Sequence, residues 1–296
     1  MSKASVKRPA RRLRLKKVRA SAVFVNILIF GLLAFSMLPL IYLVCTAFKP
    51  LDELLKFPPQ FFVKNPTMKN FANLVTALGS SSVPFVRYVF NSLLITVVTV
   101  FLTVIVSAIG SYGLVIFKPV GSGFIMKVVV AALMFSPFVT QIPTYIIVVG
   151  LGLYNNPLAL ILPKVAVAYN FFLMERFTRQ IPVQLIEAGR IDGASHFSIF
   201  WKIVMPMLKP AWATLVVLSF VNIWNDGFSP LVFISDQAQK TLPIALQTIA
   251  GGTGGTDLSR AGATMAAAFI TTVPTIVLFV LMQKKVMQTM AFSGIK

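Results

Sequence analysis

Four stretches of the chain run without a charged residue for longer than a bilayer core is thick: 20–48, 88–117, 128–163 and 261–283. About 20 apolar residues in a helix cross the hydrocarbon core, so each reads as a membrane span. Two shorter charge-free stretches, 165–174 after Lys164 and 210–225 before Asp226, become spans when extended to 157–174 and 207–228. The stretch 128–163 is too long for one straight helix, and Gly150, Gly152, Asn155, Asn156 and Pro157 supply turn chemistry inside it. The pattern predicts an all-α integral membrane protein of about six transmembrane helices, near 21–47, 87–116, 124–149, 157–175, 207–228 and 261–283.

Composition agrees. Hydrophobic residues make up 57% of the 296 and charged residues 12%, against about one quarter charged in a soluble domain. Lipid is the solvent for most of this chain. Basic residues orient it, because cytoplasmic flanks collect Lys and Arg. Residues 1–20 hold nine of them, from Lys3 to Arg19, and no acid, which places the N-terminus inside the cell membrane. Six crossings then leave 48–86, 150–156 and 229–260 outside, 117–123 and 176–206 inside, and both termini cytoplasmic. With each Lys and Arg assigned to its nearer side, 19 fall inside and 7 outside, and Lys164 stays within a span. A secretory signal peptide also begins basic and turns apolar, but the 28-residue run from Ala20 to Ala47 is too long for one, and no A-x-A pattern closes it. The basic tail suits retention on anionic membrane lipid; nucleic acid is not an expected partner.

The single cysteine, Cys45, lies in the first span and excludes an intrachain disulfide or a cysteine-cluster metal site. No cofactor or metal site is expected. The outer segment 49–86 is rich in Pro, Phe and Lys and predicts at most one short helix, near 68–78. In the last outer segment Leu242, Ala245, Leu246, Ile249 and Ala250 share one helical face, and a glycine run follows. No internal repeat is detectable, which argues against a secondary transporter built from two inverted halves.

Between the fourth and fifth spans, residues 180–210 read QIPVQLIEAGRIDGASHFSIFWKIVMPMLKP. Pro182 suits a first helical turn, and Gly193 can take the left-handed conformation that ends a helix. Ser195 can cap a second helix, in which Phe197, Phe200, Trp201 and Val204 fall on one face before Pro206 breaks or kinks it. Two short helices at an angle form an elbow outside the bilayer, with an aromatic ridge shaped for a groove on another protein. An interfacial helix lying on headgroups is the alternative.

Glu187-Ala188-Gly189, Asp192-Gly193-Ala194, Ile203, Pro206 and Pro210 resemble the E-A-A loop of binding-protein-dependent ABC importer permeases, with nine positions over 24 residues agreeing in type and spacing. Gly189 stands where the family often has Ala, and Met205 where Leu commonly precedes the proline. The segments Phe57–Phe62, Asn65–Thr67, Tyr88–Leu93, Trp224–Asp226, Thr241–Pro243 and Met265–Ala268 are similar to the sugar-importer branch, and to the smaller permease subunit of maltose-type importers in particular. The resemblance implies an organisation into a basic cytoplasmic tail (1–20), a first helix and outer segment (21–86), a permease core (87–283) and a cytoplasmic C-terminal tail (284–296). It further implies that the loop is a coupling helix seated on a separate ATPase dimer, with Glu187 meeting a basic residue there. A second permease subunit and an external solute-binding protein complete the assembly. Sugar is the implied cargo.

Lys164, about seven residues into the fourth span, either lines the substrate path or snorkels to the outer headgroups. Gly251, Gly252, Gly254 and Gly255 form either a flexible tip or a contact with the sugar on its binding protein. No Lys-Ser or Lys-Thr follows them, so they are not a phosphate loop. His196, the only histidine, reads as a surface residue. The eight acids form no cluster suited to a membrane enzyme, and no paired intramembrane carboxylates or filter sequence mark a channel or secondary carrier. Reporter fusions at residues 1 and 296 should both report cytoplasm and one near Gly254 the exterior; an external C-terminus contradicts the six-span topology.

Overall fold

The computed structural model describes residues 20–79, 83–250 and 258–294, and these are helical with no strand. Most of the basic tail and the glycines at 251, 252, 254 and 255 lie outside the described residues. Helix α1 (Ala20–Ala47) is an apolar rod exposed over most of its length that packs on α15 (Leu258–Gly294). The axis of the bundle is α4 (Phe85–Tyr112), which runs on as a π-helical turn at Gly113–Phe117. It packs against α7 (Leu158–Val165), α8 (Ala168–Thr178) and α12 (Lys209–Trp224).

Half of the residues that α4 buries are small and hydroxylic, Ser92, Thr96, Thr99, Thr103, Ser107 and Ser111, beside Tyr88, Ile95, Val100, Val104, Ala108 and Tyr112. Between helices in lipid the hydrophobic effect supplies little, so close approach and interhelical hydrogen bonds hold them together. The Leu242 amide donates to Ser92 Oγ at 2.7 Å, Thr103 Oγ1 donates to the Lys164 carbonyl at 3.3 Å, and the Ser111 and Thr178 hydroxyls lie 2.9 Å apart. This stripe escapes a hydropathy reading because Ser and Thr barely interrupt an apolar run.

Three helices, α1, α4 and α15, are each long and apolar enough to cross a membrane unbroken. The remaining expected spans are bent pairs. Helices α5 (Ser122–Ala132) and α6 (Pro137–Gly150) meet at 111°, and α7 and α8 at 41°. The straight third span expected at 124–149 is thus corrected to two helices. Ser136 is extended (φ −65°, ψ 139°), the conformation a following proline favours, and Pro137 starts α6, where its missing N–H costs nothing. In the fourth span Val167 is also extended. The fifth ends at Trp224, short of the expected 228, and a short α13 (Phe228–Phe233) follows.

The helices expected near 68–78 and 242–250 form as α3 (Lys69–Gly79) and α14 (Leu242–Ala250), the latter preceded by a 3-10 turn at Gln237–Gln239, and a four-residue helix at Leu51–Leu54 corrects the expectation of at most one short helix in 49–86. The chain between α1 and α3 is clasped by side chains. Asn70 Nδ2 donates to the carbonyls of Ala47 (2.9 Å) and Lys49 (2.7 Å), and Lys49 Nζ donates to the carbonyl of Gln60. Buried Glu53, in α2 (Leu51–Leu54), accepts from the amides of Lys64 at 3.0 Å and Asn65 at 2.9 Å.

The Lys64 amide above all, helped by Asn65 and nearby Lys56 against the opposing effect of burial, holds the Glu53 carboxyl below its ordinary value of 4.5. A depressed folded-state pKa means that the clasp contributes above the unfolded value and is lost as pH falls through the folded one. Hydrogen exchange at the Lys64 and Asn65 amides, corrected for intrinsic rate, should therefore be pH-independent near neutrality and lose protection on acidification below about pH 4.5. Glu53→Gln should exchange faster at neutral pH.

Candidate functional site

The helix breaks enclose a cavity of about 1170 Å³. Leu133, Phe135 and Pro137 line it at the α5–α6 break, and Pro163, Lys164, Val167 and Ala168 line it at the α7–α8 break. Leu218, Ser219 and Asn222 of α12 close another side, with Asp226, Phe228 and Phe233 beyond. Gln141, Thr140, Thr144 and Asn170 add amides and hydroxyls, and Tyr145 and Tyr169 add aromatic faces. Asn170 Nδ2 lies 3.4 Å from Ser219 Oγ and ties α8 to α12.

Lys164 faces this chamber and forms an ion pair with Asp226, whose other oxygen accepts from the amides of Phe228 (3.0 Å) and Ser229 (3.1 Å). The lysine is held inward by a partner on another element. Hydropathy alone does not pair these residues, which stand 62 positions apart. The signal for Asp226 is its position as an acid at the end of an apolar run.

The loop between α8 and α12 folds as the elbow. Helix α9 (Val183–Ile191) ends in a hydrogen-bonded reversal: the Gly193 amide donates to the Arg190 carbonyl and the Ala194 amide to the Gly189 carbonyl, both at 3.0 Å. That double bond pattern requires a left-handed residue, and Gly193 supplies it at φ +76°. Ser195 Oγ then accepts from the Ser198 amide at 3.2 Å and caps α10 (His196–Ile199). A π-helical turn (Phe200–Val204) and α11 (Met205–Met207) complete the second arm.

Close packing joins the arms. A Cβ at Gly189 would stand 3.0 Å from Ile203 Cδ1, so a larger residue fits there only if the Ile203 side chain gives way. Ile186, Ile199, Phe200, Val204 and Leu208 are buried with Tyr112, Met174 and Leu215, and Ala194 is half-buried against them. The four-residue ridge expected on one exposed face is therefore corrected. Phe200 is 5% and Val204 0% exposed, whereas Phe197 at 74% and Trp201 at 41% face outward. The Phe200 ring packs 5.5 Å from Tyr112, so the bundle core claims that side of the helix.

The break assigned to Pro206 also moves. Pro206 is exposed inside α11, and the 73° bend comes at Leu208. An unbroken helix would need an N–H on Pro210 to reach the Pro206 carbonyl, and proline has none. Glu187, Ala188, Asp192 and Gly193 are exposed, and Glu187 makes no ion pair among the described residues. His196 lies on the surface with its Nδ1 3.2 Å from Tyr112 Oη. At the end of α8 leading into the elbow, fully buried Glu175 pairs with Arg179 one turn on, and Arg176 Nε stands 3.9 Å from its other oxygen.

Membrane-length helices beside a mostly apolar cavity that carries a few amides, hydroxyls and one ion pair, with a capped hairpin joining two of its walls, fit a multi-pass membrane protein with a solute-sized cavity. Residues 97–290 match the family described as binding-protein-dependent transport system inner membrane component, and the chain belongs to that family. It is 33% identical over 262 residues to "Probable ABC transporter permease protein YurM" of Bacillus subtilis, across 87% of this chain and 83% of that one. It is 29% identical over 275 residues to "Arabinooligosaccharides transport system permease protein AraQ" of Halalkalibacterium halodurans, across 90% and 94%. Identity to "Polygalacturonan/rhamnogalacturonan transport system permease protein YtcP" of Bacillus subtilis is 30% over 284 residues, across 88% and 93%. A bacterial ABC transporter for alginate import shares the fold, with a TM-score of 0.78 at 22% identity over 90% of this chain and 97% of that one.

The close α9–α10 approach gives a direct test. Gly189→Val should push α9 off Ile203 and lower uptake in a reconstituted transporter without preventing membrane insertion, and adding Ile203→Ala should restore most of it. Equal uptake by wild type and Gly189→Val would remove the packing argument.

Proposed function

We propose that this chain is one permease half of an ATP-driven importer for a sugar, coupled to a separate ATPase dimer through the loop 180–210. The observation that carries this reading is the elbow. Its inner side is welded into the bundle core by Ile186, Ile199 and Phe200, while its outer side presents Glu187 and Asp192 beside the exposed Arg190 and Lys202, with the Phe197 and Trp201 rings. A firm base beneath a charged and aromatic tip suits a groove lined by complementary charges and apolar groups on a partner. Both ends of the elbow continue into cavity walls, through α8 to Asn170 and through α12 to Asn222. A helix transmits displacement over such a distance, about 1.5 Å per residue, with little compliance. A partner that grips the elbow more tightly in one of its own states shifts the cavity between its openings by that differential affinity.

The inner end is then cytoplasmic, as are both termini, and a second permease subunit completes the chamber. Sugar as cargo rests on the names of the relatives and on a cavity of aromatic faces, amides and hydroxyls. The glycines 251, 252, 254 and 255 are proposed to reach toward the external solute-binding protein.

The test uses the full transporter in proteoliposomes with its ATPase, second permease and binding protein. Glu187→Arg and the pair Phe197→Ala/Trp201→Ala should each assemble in the membrane yet lose about tenfold or more in uptake, the equivalent of some 1.4 kcal/mol of coupling. Normal uptake in both would remove the docking role. Transport by this chain alone, without an ATPase, would replace the importer with a secondary carrier.

A further inference from the structure

The relatives' names span both neutral and acidic saccharides, and the charged groups of the cavity bear on which of the two this chain takes. Among the described residues lining the cavity, only Lys164 and Asp226 carry charge. In a chain of net charge +19, the one cation turned into the chamber is already paired. Around the pair stand groups that suit hydroxyls. Gln141, Asn222, Tyr145 and Tyr169 form no side-chain hydrogen bond among the described residues, and their polar atoms remain available to cargo. Tyr145 lies nearly parallel to Phe233 at 6.0 Å, so the aromatic surface is continuous on that side.

We propose that the Lys164–Asp226 pair is the specificity element of this cavity: it presents no net charge to cargo, so the chain passes neutral oligosaccharides and rejects those bearing uronic acid carboxylates. This rests on the sugar reading above and deepens it. A carboxylate entering a partly dry chamber loses water and needs an unpaired cation or donor cluster to offset that loss. Here it meets a lysine whose charge is engaged and an aspartate that repels it. A neutral saccharide loses only hydroxyl hydration, which the amides and tyrosines replace.

The position of the pair makes the rule a property of this chain's own wall. Lys164 stands just before the α7–α8 break and Asp226 just after α12, so the pair ties α7 to the end of α12. Asp226→Asn is a mild probe of it, because the amide keeps an oxygen for the Phe228 and Ser229 amides and only the charge is lost.

The experiment is equilibrium dialysis on the assembled transporter in nanodiscs without the binding protein, so that the cavity alone selects. The probes are arabinotriose, xylotriose, maltotriose and galactotriose against trigalacturonate. The wild type should bind at least one neutral trisaccharide about tenfold more tightly than trigalacturonate, since the carboxylates lose hydration that the paired lysine does not replace. Asp226→Asn should move the ratio about tenfold toward trigalacturonate, and adding Lys164→Gln should cancel that gain. Lys164→Gln alone should move the ratio the other way, and the swapped pair Lys164→Asp/Asp226→Lys should keep the wild-type ratio. Preference of the wild type for trigalacturonate, or an unchanged ratio in both single variants, overturns the inference and leaves the sugar reading standing. Binding of no trisaccharide of either kind overturns the sugar reading and the inference together.

Discussion

Inside a bilayer a helix can be interrupted only where the freed backbone groups meet protein or an enclosed polar space, because hydrocarbon offers them no partner. That constraint organises this molecule. The interruptions at Leu133–Ser136 and at Ala166–Val167 both open onto one cavity, and the third, at Leu208, lies at the root of the elbow. Prolines set two of them. Pro137 opens α6 and Pro210 sits in the first turn of α12, where a missing N–H is harmless. The unbroken helices carry the complementary duty: α4 runs the length of the bundle and meets α7, α8 and α12 through a hydroxylic stripe narrow enough for close backbone approach.

The cavity and the elbow are joined by two helices. Helix α8 begins at the chamber and, in its last turn, pairs buried Glu175 with Arg179 one turn on. Helix α12 begins beneath the second arm and ends beside Asp226. The hairpin between them is stiff for local reasons, namely the reversal at Gly193, the Ser195 cap and the Gly189–Ile203 approach.

The distribution of negative charge follows the same division. Of the eight acids in the chain, four have a visible employment among the described residues. Glu53 clasps the segment after α1, Asp226 neutralises Lys164, Glu175 anchors Arg179, and Asp236 caps the 3-10 turn. Glu187 and Asp192 stand apart: both are exposed, both lie on the elbow, and neither joins an ion pair among the described residues.

The sequence by itself determined which segments enter lipid, since the length of an uncharged run is a one-dimensional property measured directly against bilayer thickness. It determined the elbow for the same reason: Pro182, Gly193 and Ser195 act through their own backbone and nearest neighbours, and the structure realises the Gly193 turn and the Ser195 cap where those residues stand. Helix α14 was legible from its single apolar face. Only the tertiary structure decided what depends on partners distant in the chain. It turned Phe200 inward against Tyr112 and left Phe197 and Trp201 outside, and it brought Asp226 across 62 positions to Lys164. It also bent the third span at Ser136, where an apolar run hides a Ser-Pro signal from hydropathy but not from backbone sterics. Periodicity says that a residue has a face; which neighbour that face meets is settled by how the helices pack.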